Sequence, residues 1–173
     1  MKSTKKSSSR TSKNTACSVP ERDLGSKSYC DKLSSDSSAE FFKARFEIDP
    51  VPASRPRVLR YGKPYYLPTY EAFRREMAMR MGKYTGGHTL YGGPLRAFIV
   101  FHKLIPVSLS KKKREAMDGT YCVSNVDLDN MEKAIYDAMN GNVYLDDSQI
   151  VEHTTCKRWT MENPRIEVLI KPI

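Results

Sequence analysis

Residues 127–147 carry the side chains whose types and spacing can do chemistry. Asp127 and Asp129 stand two apart where a helix is set to begin. Asp129, Lys133 and Asp137 then recur every fourth residue and share one helix face. A second pair, Asp146-Asp147, follows a short turn after that helix. Each acid alone has an ordinary reading, Asp127 as an N-cap and Asp129 as a charge favoured at the positive end of the helix dipole. Lys133 alone reads as a surface ion-pair partner. Gathered together, the carboxylates would repel one another unless a cation neutralised them. Oxygen donors with no His or Cys among them suit magnesium, or manganese, rather than zinc. Such an ion activates water and offsets charge on a phosphate. If 146–147 is extended, only one of the pair faces the first two acids, because successive strand side chains alternate in direction.

The elements that must position these groups read as alternating strands and helices over residues 39–173. Phe42, Ala44, Phe46 and Ile48 alternate with polar residues, the pattern of a half-buried strand. Pro50, Pro52 and Pro56 then break regular structure. Thr69 is placed to cap a helix with Phe73, Met77, Met81 and Tyr84 on its apolar face. Leu95 to Leu104 reads as a central strand, and Ser108 or Ser110 starts a short basic helix through Met117, stopped by Gly119. Leu128, Met131, Ile135, Ala138 and Met139 share one face of the acid-bearing helix, with Gly141 as its stop signal. Val143 to Leu145 reads as extended, and Ile150 to Trp159 and Arg165 to Lys171 read as two further strands. The expected fold is α+β, a mixed β-sheet of about four to five strands with two main helices packed on it.

Residues 1–38 are rich in Ser and Lys and nearly free of aliphatic side chains, so they are expected to form a disordered tail. Over the whole chain 29 Lys and Arg against 20 Asp and Glu give a net charge of +9, which favours a polyanionic partner. No apolar run approaches the roughly 18 residues of a spanning helix, and the N-terminus lacks the apolar stretch of a secretory signal. Neither membrane association nor a small-molecule cofactor is expected. Cys17, Cys30, Cys122 and Cys156 are too scattered for a zinc pattern and too few to staple the chain, which suits a reducing compartment.

The strings Asp127-Leu128-Asp129-Asn130-Met131-Glu132-Lys133, then Asp137-Ala138-Met139, then Asp146-Asp147-Ser148-Gln149-Ile150 resemble the RusA family of Holliday junction resolvases. The Pro-Ala-Ser-Arg-Pro-Arg stretch at 52–57 is similar to a family segment too, and the resemblance runs over most of 42–171. It implies a RusA-like endonuclease domain at 39–173. Carried over by position, Asp127, Asp129 and Asp147 match the family's metal carboxylates and Lys133 its catalytic lysine. Asp146, Asn130 and Asp137 are supporting candidates. The resemblance implies a magnesium-dependent homodimer that resolves four-way DNA junctions in recombination and repair by paired symmetric nicks, in the cytoplasm of a bacterial or phage-infected cell. The basic residue and proline that many relatives carry before the first aspartate are replaced by Ser124-Asn125-Val126, so contacts from that loop are not carried over.

DNA-binding candidates are Arg55, Arg57, Arg60 and Lys63, interleaved with Tyr61, Tyr65 and Tyr66, and the denser run Lys111, Lys112, Lys113 and Arg114. Lys157 and Arg158 are weaker candidates. Trp159 reads as packing, and His88, His102 and His153 are too dispersed for a ligand role. The alternative from another class is a non-catalytic dimeric nucleic-acid-binding protein whose acids are caps and surface charges. A nucleotide-handling transferase is the third, without a glycine-rich phosphate loop to support it.

Overall fold

The computed structural model describes residues 41–58, 60, 62–85 and 91–173. The expected tail at 1–38 lies outside the described residues, as do Tyr61 and His88. Strand β1 (Phe42–Phe46) alternates buried and exposed side chains as its sequence does. Helix α1 (Pro68–Tyr84) buries Tyr70, Phe73, Met77 and Met81. It starts one residue before the expected cap. Leu67 is the N-cap and Pro68 opens the helix, because a proline ring pre-sets helical φ where no N–H is needed. Tyr84 is half exposed, yet its ring packs edge-on against Phe42 and Phe46. Strand β2 (Leu95–Leu104) and the short helix α2 (Lys111–Met117) follow, the latter with Ser110 at its N-cap position but no side-chain capping hydrogen bond, and burying nothing. Helix α3 (Leu128–Met139) buries Met131, Ala134, Ile135, Ala138 and Met139. Strands β3 (Ile150–Thr160) and β4 (Arg165–Pro172) complete the chain.

The strands form one mixed sheet in the order β1-β4-β2-β3. β2 is central, antiparallel to β4 and parallel to β3. Consecutive β3 and β4 are therefore not neighbours. Parallel strands need a long crossover, and between β2 and β3 it contains α2 and α3. Ala97, Ile99 and Phe101 of β2 lie opposite Ile170, Val168 and Ile166 of β4, which face Phe42, Ala44 and Phe46 of β1. This apolar face meets the buried stripes of α1 and α3 in one core. Ile99→Ala, at its centre and fully buried, is expected to cost about 3 kcal/mol of stability, read from a urea melt. A loss under about 1 kcal/mol would mean that the helices do not close over this point.

Past α3 the expected extended piece at Val143–Leu145 is instead a tight turn. Gly141 adopts φ +73°, its amide donates to the Tyr144 carbonyl at 2.8 Å, and the Val143 amide donates to the Met139 carbonyl at 2.9 Å. Val143 and Tyr144 are buried by this return. A 3₁₀ turn, Asp147–Gln149, then leads into β3.

Candidate active site

Asp127 is the N-cap residue of α3, but its side chain makes no capping hydrogen bond. Asp129 lies in the first turn, and both acids are exposed. Among the described residues neither makes a salt bridge or a side-chain hydrogen bond. The capping job that would account for Asp127 in ordinary terms is thus not taken up by its carboxylate.

The second acidic pair divides its labour by geometry, though not by strand alternation. Asp146 accepts from the Ser148 amide at 2.9 Å, and Gln149 Oε1 accepts from the Asp146 amide at 3.1 Å, a reciprocal capping box. Hydrogen bonds from Ser148 hold the Asp146 carboxyl below the ordinary carboxylate range. Gln149 also accepts from the Leu145 amide at 2.8 Å and donates to the Tyr91 and Gly93 carbonyls at 3.1 and 3.0 Å. Asp147 is left exposed, with no salt bridge among the described residues. Gln149→Ala is expected to lower stability by about 1–2 kcal/mol in a thermal melt, since one amide holds four backbone groups. An unchanged melt would show that other contacts hold the turn.

Down the helix from Asp129, Lys133 extends an exposed side chain with Nζ 3.4 Å from Asp137 Oδ1. Asp137 also accepts from the hydroxyl of Tyr70 on α1 at 2.7 Å. That hydroxyl is buried, and burial with the adjacent carboxylate drives its pKa upward. Tyr70 therefore remains a donor and anchors Asp137, which in turn steadies Lys133. Asp146, Asp147 and Asp137 all act on the Tyr144 hydroxyl, whose pKa burial raises first and these charges raise further. The 3₁₀ turn packs against α3. Among the described residues, however, no three His, Cys, Asp or Glu side chains are gathered tightly enough to hold a metal ion.

The loop after β1 is tied to α3 by a hydrogen bond from the Ala53 amide to the Asn130 carbonyl at 2.8 Å. This brings Arg55 to a cavity of about 420 Å³ between the loop, α1 and α3, lined also by Tyr66, Arg74, Asn130, Lys133 and Asp137. Arg57 and Tyr65 pair through both backbone hydrogen bonds, at 2.7 and 2.9 Å, and Arg60 and Lys63, which fall between them in sequence, are both exposed. Lys111, Lys112 and Lys113 are exposed on α2 and Arg114 is half-buried; none of the four lines the cavity. Lys157 and Arg158 have structural work, donating to the Val126 and Gly119 carbonyls, and Arg158 also lies over the Tyr121 ring. Trp159 is half-buried within β3. His102 lies beside Glu167, and His153 beside Glu132. Arg74 escaped the sequence reading. Its position four residues after Tyr70 places both on one helix side, but nothing local in the sequence links α1 to α3.

The helix that opens on unpaired carboxylates thus continues beside a cationic, aromatic-walled cavity. The chain belongs to the RusA endodeoxyribonuclease family, whose model, described as endodeoxyribonuclease RusA, matches residues 47–171. The family's general activity is endonucleolytic resolution of Holliday junctions, with junction DNA as substrate. The chain is also similar to the uncharacterized protein YqaN of Bacillus subtilis (strain 168), 30% identical over 131 residues, which are 72% of this chain and 92% of that relative. No helix of the described residues is long and apolar enough to cross a membrane.

Proposed function

We propose that this chain is a magnesium-dependent endonuclease, with manganese as a substitute, that resolves four-way junctions in recombination and repair. It acts as a homodimer, one nick per subunit, so that a two-fold enzyme meets the two-fold symmetry of its substrate. The observation that carries the reading is the order of groups along α3. Uncapped, unpaired Asp127 and Asp129 stand at its entrance, and Asn130 and Lys133 lie beside the Arg55–Arg74 cavity one turn on.

Asp127, Asp129 and Asp147 are the residues that would hold the cation, and they must draw closer together to do so, because among the described residues no three such side chains stand close enough for a metal ion. Their donor chemistry fits a hard divalent ion, being carboxylate oxygen throughout and free of a competing basic partner among the described residues. When bound, the ion supplies neutralising charge and a water of lowered pKa. The chain's own side chains do the rest. Lys133, steadied by Asp137, offers a positive charge to the phosphate as negative charge develops, or orients the attacking water. Arg55, Arg57, Arg60 and Lys63 grip phosphates near the crossover, and Lys111 to Arg114 contact an arm of the junction.

The deciding experiment incubates a labelled four-way junction and a linear duplex with the protein in magnesium, manganese or EDTA and maps the cuts. Paired nicks across the junction with either metal, none in EDTA and none in the duplex are expected. Junction binding without nicking in any divalent metal would replace this reading with the non-catalytic binder. Binding is also expected to weaken steeply with salt, because each neutralised phosphate releases counterions.

A further inference from the structure

We propose that the cavity between the 53–56 loop, α1 and α3 receives one unpaired nucleotide of the DNA strand, its phosphate on Arg55 and Arg74 and its base against Tyr66. This rests on the junction-endonuclease reading and adds a substrate subsite to it. Three cationic side chains, Arg55, Arg74 and Lys133, line the cavity against one carboxylate, Asp137. That carboxylate already accepts from Tyr70 and Lys133. Among the described residues neither Arg55 nor Arg74 makes a salt bridge, so the lining carries a net positive charge, three cations against the single carboxylate of Asp137.

Arg74 is half-buried and its guanidinium lies over the rings of Tyr66 and Tyr70, at 5.8 and 5.9 Å. The two rings meet edge-on at 5.5 Å. Arg74 is thus held in place before any ligand arrives, and a pre-placed planar fork suits a phosphate. Tyr66 supplies an aromatic wall and Asn130 an amide with both donors and acceptors, which suit a base. A volume of about 420 Å³ lies in the range of small-molecule pockets. A base paired and stacked inside a duplex cannot enter such a pocket. A nucleotide released from pairing at a crossover can.

The test scans 2-aminopurine, which brightens when unstacked, through the positions around the crossover of a four-way junction. The full chain is added at saturation in EDTA, so that no cut intervenes. A rise in fluorescence at one position in each of two symmetric strands is expected with the unaltered protein. Arg74→Ala and Tyr66→Leu should lose that rise at saturation, and Arg74→Ala should bind about tenfold more weakly. Arg74→Lys, which keeps the charge, should bind closer to the unaltered protein than Arg74→Ala does, and a thermal melt checks that each variant is folded. Absence of any rise, or a rise that both variants retain, overturns the proposal. Cleavage of an unmodified junction in magnesium is measured alongside. Cleavage without the fluorescence rise sinks the subsite alone, and a variant-sensitive rise without cleavage sinks the catalytic reading alone.

Discussion

Asp127→Asn is expected to leave the chain folded and bound to a four-way junction while cleavage falls about a thousandfold or more. The fold is spared for a local reason. Asp127 is the N-cap of α3 and uses no side-chain hydrogen bond there. Asn is as good an N-cap as Asp, so stability should shift by no more than about 0.5 kcal/mol. Binding is spared if, as proposed, the groups that meet phosphates are the cations on the 53–63 loop, α1 and α2. Chemistry is not spared, since the amide keeps the shape of the carboxylate and removes its charge. If Asp127 helps to hold the ion, losing that charge forfeits several kcal/mol of charge stabilisation at the phosphate, and about 4 kcal/mol is a factor of a thousand. Single-turnover cleavage and gel-shift titration of the same preparation check both halves. Full cleavage by Asp127→Asn in magnesium would falsify the assignment. Asp129→Asn should behave alike, because Asp129 is equally exposed and equally free of an ion pair among the described residues.

The second large effect is expected at Lys133. Lys133→Ala should slow turnover about a hundredfold, the scale of removing one pre-placed charge from a transition state, with junction affinity changed far less. Its side chain is 64% exposed and reaches 3.4 Å from Asp137, so removing it opens no core cavity. Asp137 keeps the Tyr70 hydroxyl at 2.7 Å and is not stranded. The measurement is turnover at saturating junction beside the dissociation constant in EDTA. A variant whose whole defect is affinity would make Lys133 a binding residue only. Lys133→Arg is a useful companion, because a bulkier, planar cation restores charge but not position.

Much of this architecture is written locally. The alternation at Phe42, Ala44 and Phe46, the stripe Met131–Ile135–Ala138 and the continuous apolar run in β2 each follow from one element burying one face, and burial is a property of short-range pattern. Boundaries moved where backbone chemistry outranked side-chain pattern. Pro68 took the helix start from Thr69, and Gly141 at positive φ turned Val143–Leu145 into a tight return. The D-D-x-Q string is instructive too. Strand alternation was a sound reason to separate Asp146 from Asp147, but the structure separates them by a capping box in which Gln149 is the second partner.

The sequence by itself determined the acid-bearing helix, its apolar face, the basic segments and the family likeness, all of which depend on spacing along the chain. Tertiary structure alone decided that β2 lies between β3 and β4, and that the loop after β1 is pinned at Asn130. It alone brought Arg74 on α1 to Lys133 on α3 through Tyr70 and Asp137. These pairings join residues tens of positions apart. Their free energy comes from closing loops and packing whole faces together, and no local window of sequence contains both partners.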